Sequence, residues 1–220
     1  MGKTRKGRIQ MSENQKSKES QTFISEARRE QIFEVTIEIL DEIGFINASL
    51  SKIAQCAGIS TSLISYHFKD KQHLMNYVFE TLMDKSVSYI IGNISKNTSS
   101  WDKLKAFINA SLEYHKAYPS RSIAMIEIIF HSRTSSNVPY YRLDEESVIE
   151  EPLVIELKKI LIEGQKEEAF QHFNIDVIVS FIQGAIYDYQ WQKINVETYS
   201  FELIKILEKI IIKRDDAVEK

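Results

Sequence analysis

The chain has very little of what breaks or cross-links a fold, with one cysteine, three prolines and seven glycines in 220 residues. A single cysteine, Cys56, excludes an internal disulfide framework and is typical of a reducing compartment. Scarce glycine and proline favour long helices over many short strands. The sequence also lacks any run of 18 apolar residues, so we expect a cytoplasmic protein without a membrane span.

The charge is unevenly distributed, although the overall net charge is only −3. Residues 1–20 carry six basic and two acidic side chains, whereas the chain from residue 72 onward carries 17 basic and 22 acidic ones. A nucleic-acid footprint is a local property, so this acidic balance does not argue against one. Residues 1–22 hold few large apolar groups and are predicted to be a disordered basic tail, with Met11 as an alternative start.

Apolar residues recur at helical spacing along most of the chain, which is 43% hydrophobic. This pattern predicts an all-α fold. The helices are expected at about 25–43, from about 70 to 95, and at about 101–117, 120–131, 152–168, 174–192 and 196–213.

Residues 49–71, SLSKIAQCAGISTSLISYHFKDK, predict two further short helices joined by a tight turn. Ser49 and Ser60 are suited to cap the two helices, and Gly58 accepts the positive φ of a turn. In a helix-turn-helix, the first helix braces the second so that the second projects into the DNA major groove. The predicted structural residues of this motif are Ala54, Gly58, Ile59 and Phe68.

The exposed side of the motif is predicted to contact DNA. Short hydroxyl side chains can bond base edges, and methyl groups can touch thymine. The base-reading candidates are Ser51, Thr61, Ser62, Leu63 and Ser65. Candidates for phosphate contact, by charge or by position at a helix end, are Lys52, Tyr66, His67 and Lys71.

Over about residues 25–80 the chain resembles the TetR family of bacterial transcriptional regulators. The resemblance rests on Ile53-Ala54, Ala57-Gly58-Ile59-Ser60, Tyr66-His67-Phe68 and Lys71, with Gly44-Phe45 before them and Leu74 after. The chain departs from the family pattern at three positions. The family often has Thr or Ser at the position of Ala48, a charged residue at Ser51 and a tyrosine at Ser65.

The resemblance implies a three-helix helix-turn-helix domain over residues 23–71 and a helical ligand-binding and dimerisation domain over 72–220. It also implies a homodimeric repressor that binds a near-palindromic double-stranded operator and is released by a small-molecule inducer. The last two helices are expected to form the dimer interface. Candidates for the ligand pocket are Phe107, His115, Glu127, Phe130, Gln183 and Tyr187.

Other classes of function find less support in the sequence. The five histidines show no metal-ligand spacing, and neither a phosphate-binding loop nor a nucleophile motif is present, so we expect no metal, no cofactor and no catalysis. Cys56 is interpreted as an inert residue and Glu150-Glu151 as solvated surface. Two alternatives stay open: a DNA-binding regulator controlled by a protein partner without a small ligand, and, more remotely, a helical-bundle enzyme.

Overall fold

The computed structural model describes residues 4–134, 136–142 and 151–213, and for residues 4–21 and 142 the backbone alone. Within these ranges the chain forms nine α-helices, two short 3-10 turns and no sheet, which confirms the predicted all-α fold class. The 3-10 turns are Tyr140–Arg142 and Tyr189–Trp191. The helices are α1 Thr4–Asn47, α2 Leu50–Cys56, α3 Thr61–His67, α4 Lys71–Ile94, α5 Ser100–Ala117, α6 Pro119–His131, α7 Pro152–Lys166, α8 Ile175–Asp188 and α9 Val196–Ile211.

The chain divides into two compact units between Val78 and Phe79. This division falls inside α4, which therefore contributes residues to both units. The predicted domain boundary at residue 71 lies at the start of the same helix. Each unit has its own set of buried apolar side chains.

Helix α1 differs at its start from the sequence-based expectation. We predict a disordered tail over residues 1–22, whereas the structure continues the helix from Thr4; residues 1–3 lie outside the described part. The physical reason is that residues 8–43 contain no glycine or proline, so nothing breaks the helix there. At its other end Gly44 has φ 74° and ψ 168°, a conformation open to glycine alone, and interrupts the helix where a stop is expected.

The first unit is held together by apolar side chains from four helices. Burying each large apolar side chain stabilises the unit by about 1.5–3 kcal/mol. Arg29 of α1 covers this core, since its guanidinium carbon lies 4.9 Å from the centre of the Phe68 ring and 4.3 Å from that of Tyr77. The buried residues include Ile32, Phe33 and Leu40 of α1, Ile53 and Ala54 of α2, Ile64 of α3, Phe68, and Leu74, Met75 and Val78 of α4.

The second unit is built around α5, which packs against α6, α7, α8 and α9. Three of its helices start at a polar side chain that accepts a hydrogen bond from a backbone N–H of the first turn. Ser99 caps α5, Asn174 caps α8 and Asn195 caps α9. The core includes Leu104, Phe107, Ile108 and Leu112 of α5, Leu157, Ile160 and Leu161 of α7, Ile178 and Ile182 of α8, and Leu203 and Leu207 of α9.

Among the helices described, none is long and apolar enough to cross a membrane.

Candidate nucleic-acid interface

The turn between α2 and α3 has the geometry expected from the sequence. Gly58 has φ 65°, and the Ile59 amide donates to the Ala54 carbonyl at 3.0 Å. The hydroxyl of Ser49 accepts from the Lys52 amide at 3.2 Å, and that of Ser60 accepts from the Leu63 amide at 3.2 Å. Both short helices are therefore capped by the serines that the sequence indicates.

The two helices are braced against α1 and against each other. Ala54 and Phe68 are buried, whereas Ile59 is only half-buried. The amide of Gln31 on α1 donates to the Ala57 carbonyl at the end of α2, at 2.8 Å. This bond satisfies a carbonyl that the helix itself leaves free and fixes the end of α2 to α1.

The base-reading candidates lie on the outer surface of the motif. Thr61, Ser62 and Ser65 of α3 are exposed, as is Ser51 of α2, while Leu63 is half-buried. The Ser62 hydroxyl lies 2.9 Å from the Ser60 hydroxyl, so it shares a hydrogen bond with the residue that caps its own helix. Short hydroxyl side chains on one open face suit contact with base edges, and their base-reading role stays a prediction.

Two of the phosphate candidates follow each other at the end of α3. Tyr66 is 81% exposed, and its ring centre lies 5.1 Å from that of His67. The pKa of His67 is lowered, first by burial and then by the positive charges of Arg29 and Arg28. His67 is therefore mostly neutral at neutral pH in the absence of DNA.

Lys71 is more tightly held than the sequence suggests. Its Nζ donates to the Phe45 carbonyl at 2.5 Å and lies 4.2 Å from the centre of the Phe45 ring. Burial lowers the pKa of this half-buried lysine. Lys52, by contrast, is exposed on α2. Lys71 thus has a structural contact inside the first unit in addition to its predicted role toward phosphate.

Arg28 and Arg29 were missed by the sequence-based analysis. Their positive charges lower the pKa of His67, and the Arg29 guanidinium carbon lies 4.9 Å from the centre of the Phe68 ring, directly after α3. They precede the motif by about 20 positions, and helical periodicity alone marks them only as polar residues of α1. The structure adds them to the positively charged groups near the predicted phosphate contacts.

The second unit contains a cavity of about 70 Å³ between α4, α5, α6, α8 and the start of α7. Four of the six predicted pocket residues line it: Phe107, His115, Gln183 and Tyr187. The other two do not. The Glu127 carboxylate lies 3.5 Å from the His131 ring, and Phe130 is 57% exposed.

Several polar residues of the cavity wall were not expected. Glu151, which we interpret from the sequence as solvated surface, lies in the wall, while Glu150 is outside the described residues. Tyr114, Arg121 and Ser122 line it as well. Glu151 directly precedes the first turn of α7, a position whose orientation depends on tertiary packing and has no periodic signal. In the described part of the chain, no three His, Cys, Asp or Glu side chains converge as metal ligands.

Comparisons with known proteins agree with this geometry. Residues 32–78 match the family model described as bacterial regulatory proteins, tetR family. The chain is 25% identical over 146 residues to the HTH-type transcriptional regulator BetI of Klebsiella pneumoniae (strain 342), which covers 64% of this chain and 74% of the relative. The relative from Escherichia coli (strain K12) has the same identity and coverage.

Solved structures share the fold over most of the chain. The ketosteroid transcriptional regulator KstR2 of Mycobacterium tuberculosis has a TM-score of 0.67 and 16% identity, and the likeness covers 85% of this chain and 96% of that one. The fatty acid degradation regulator FadR of Bacillus halodurans has a TM-score of 0.68 and 19% identity, with 81% and 93% covered. These relatives are transcriptional regulators and not enzymes. Residues 32–78 therefore carry the DNA-binding domain of the tetR family of bacterial regulatory proteins, and the chain is a DNA-binding regulator of transcription.

Proposed function

We propose that this regulator is a repressor that binds a near-palindromic operator as a homodimer. We further propose that a small molecule entering the cavity of the second unit releases it from DNA. The cavity is the observation that supports control by a small molecule. It has polar side chains in its wall and lies within an otherwise apolar core.

The dimer is supported by large apolar side chains that α8 and α9 leave exposed. Val177 and Phe181 of α8 and Ile206 of α9 are exposed, and Phe201 of α9 is 63% exposed. An added Cβ at Gly184 of α8 would meet no atom within 4 Å. Large apolar side chains left exposed on neighbouring elements are typical of an interface. A twofold dimer would place two recognition helices about 34–36 Å apart, one turn of DNA.

The coupling between ligand and DNA is assigned to α4. This helix begins at Lys71, a predicted phosphate contact, and further along it supplies Leu82, Met83 and Ile90 to the cavity wall. A ligand that displaces these side chains tilts the helix that starts at Lys71. A coupling of about 1–3 kcal/mol would lower the operator affinity by roughly 5–150-fold.

A second candidate is control by a protein partner without a small ligand. An open groove lined by Ile126, Ile129, Phe130 and Trp191 favours it, because large apolar side chains are exposed there. A ligand-free protein whose operator affinity changes only with a partner bound to this groove would establish this alternative.

The proposal is tested first by footprinting the purified protein on DNA flanking its own gene, which is expected to show two protected half-sites. The oligomer is tested with Phe201→Arg, which should give a monomer by light scattering and weaken operator binding. Phe130→Arg is the matched control, since Phe130 is similarly exposed but lies outside α8 and α9. A dimer that survives Phe201→Arg and is broken by Phe130→Arg would place the interface on α6.

A further inference from the structure

The linker between α3 and α4 lies between two groups of predicted phosphate contacts. Tyr66 and His67 are the last residues of α3, and Lys71 is the first residue of α4. The linker itself is residues 68–70. Its conformation sets the distance and the angle at which the two groups meet a DNA strand, so the contacts that hold the linker bear directly on DNA binding.

A reciprocal pair of hydrogen bonds closes the start of α4. The Asp70 carboxylate accepts a hydrogen bond from the His73 amide at 2.8 Å, as an N-cap side chain does. In the other direction, Nδ1 of the His73 ring accepts a hydrogen bond from the Lys69 amide at 3.1 Å. In a capping box, a Glu or Gln at the third helical position reaches back to the N-cap amide. Here a histidine at that position bonds the amide one residue earlier.

The His73 ring also contacts the residue that ends α3. Its centre lies 5.8 Å from that of the Phe68 ring, and the rings meet edge to face at an interplanar angle of 68°. Phe68 is fully buried, and its amide donates to the Ile64 carbonyl of α3 at 2.8 Å. His73 itself is exposed. One exposed side chain of α4 therefore contacts both the end of α3 and the backbone of the linker.

The geometry gives His73 Nδ1 a defined role as an acceptor. Because Nδ1 accepts from the Lys69 amide, it carries no proton, and the hydrogen of the neutral ring is on Nε2. Asparagine places an acceptor oxygen the same number of bonds from Cα as this nitrogen. Leucine has the same branch at Cγ and no polar atom. These two residues therefore differ in the one property that the linker requires.

We propose that His73 is a positioning residue for DNA binding, which holds the linker so that Lys71 and the end of α3 face the same DNA backbone. It acts through the Lys69 amide and the Phe68 ring and does not itself contact DNA. Without the hydrogen bond, DNA binding has to order the linker, which lowers the affinity. The proposal rests on the predicted phosphate contacts and is independent of the proposed dimer, repressor and inducer.

The test measures binding of the full chain to a DNA duplex of random sequence, by fluorescence anisotropy over a series of salt concentrations. Phosphate contacts act on any sequence, so the operator need not be known. His73→Ala should weaken binding by roughly 2- to 12-fold, the factor that one net hydrogen bond supplies. The salt slope should stay unchanged, because no phosphate contact is removed.

Gln72→Ala is the matched control on the same turn of α4. The Gln72 amide donates to the Asn76 side chain at 2.7 Å, a hydrogen bond that stays within the helix and does not involve the linker. This variant should bind random DNA with wild-type affinity. A loss in Gln72→Ala as large as that in His73→Ala would overturn the proposal, because the linker would then have no special part in binding.

Two variants of similar shape isolate the acceptor. His73→Asn should retain wild-type affinity, whereas His73→Leu should bind as weakly as His73→Ala. Wild-type affinity in His73→Leu, or equal losses in the asparagine and leucine variants, would overturn the proposal. A salt slope that falls by about one unit in His73→Ala would also overturn it, because His73 would then contact a phosphate directly.

Hydrogen exchange followed by NMR tests the wild-type protein without relying on the variants. The Lys69 amide should be protected in the wild type and in His73→Asn but not in His73→Leu, although the Lys69 side chain is exposed. A Lys69 amide that exchanges freely in the wild type would overturn the proposal. Urea unfolding isolates the effect on stability. If His73→Ala unfolds more easily yet binds DNA like the wild type, His73 is a helix cap alone and the proposal fails.

Failure of this proposal is distinguishable from failure of the proposed function. Random DNA without ligand reports neither on an operator nor on an inducer. The expected order of the His73 variants in a protein that protects no operator in footprinting would remove only the repressor. A footprinted operator together with equal random-DNA affinities of wild type, His73→Ala and His73→Leu would remove only the role of His73.

Discussion

The Lys71 ammonium donates a hydrogen bond to the Phe45 carbonyl at 2.5 Å and lies 4.2 Å from the centre of the ring of the same residue. Phe45 directly follows the interruption of α1 at Gly44, and Lys71 is the first residue of α4. One side chain therefore joins the segment after α1 to the start of α4. It fixes the position of the ammonium that is predicted to meet a DNA phosphate.

Lys71→Ala is expected to change both stability and DNA binding. Loss of a charged hydrogen bond at a half-exposed site should lower the free energy of unfolding by about 1 kcal/mol. Loss of a phosphate contact should weaken binding to operator and random DNA alike and reduce the salt slope by about one unit. Lys52→Ala, at an exposed position, should change the slope with little effect on stability. An unchanged slope in Lys71→Ala would leave Lys71 with its structural role alone.

Thr61→Ala is expected to reduce specificity. If the Thr61 side chain touches a base, the ratio of operator to random-DNA affinity should fall by about tenfold, with little change on random DNA. Gln55→Ala, at an exposed position of α2, is the control and should preserve the ratio. Competition gel shifts measure both quantities, and an unchanged ratio would remove Thr61 from the base-reading set.

His67 should make DNA binding depend on pH. Its pKa is lowered in the free protein, whereas a bound phosphate favours the charged ring, so binding takes up a proton. Affinity is therefore expected to rise as the pH falls through about 6.5 and below, and His67→Gln should flatten the profile. His172→Gln, at an exposed site of the second unit, should leave the profile intact. A profile that is the same in wild type and His67→Gln would contradict a phosphate contact by His67.

Replacement of Gly58 and of Gly92 by alanine should change the free energy of unfolding in opposite directions. Gly58 has φ 65°, and an added Cβ would meet no atom within 4 Å, so the cost of Gly58→Ala is conformational and about 1 kcal/mol. Gly92 lies inside α4 with equally open space, so Gly92→Ala should stabilise by about 0.5–1 kcal/mol. Urea unfolding measures both changes. Equal shifts of the midpoint in the two variants would contradict a left-handed turn at Gly58.

Glu151→Gln should make the ligand-free protein more heat-stable at neutral pH. The folded state raises the pKa of Glu151, so its ionisation costs stability progressively as the pH rises above the ordinary carboxyl range. The glutamine side chain does not ionise, so the variant should melt at a higher temperature than the wild type at pH 7, and the difference should vanish toward pH 4. Calorimetric melting at both pH values measures it, and a lower melting temperature at pH 7 would indicate that Glu151 has a stabilising partner.

The helix-turn-helix was predictable because its signals are local. Ser49 and Ser60 act within three residues, and Gly58 determines its own backbone conformation. The start of α1 could not be predicted from the sequence, because basic and polar residues without glycine or proline are compatible with either a helix or a disordered tail.

The unpredicted parts of the candidate sites depend on contacts between distant residues. The Lys71 contact with Phe45 spans 26 positions, and Glu151 lines the same cavity as Tyr187 of α8. Neither arrangement has a periodic pattern that a sequence could show. Glu127 and Phe130 lie outside the cavity wall for the same reason, since the rotation of α6 about its axis is set by its neighbours.

The hydrogen bond from Gln31 to the Ala57 carbonyl defines how much of the chain can be moved into another protein. A chimera that receives only residues 49–71 loses the amide that caps α2. It also loses Arg29, whose guanidinium covers Phe68 and Tyr77. The smallest segment that contains these stabilising contacts therefore runs from Arg28 on α1 to Tyr77 on α4. An exchange of operator specificity between regulators should transplant that whole segment.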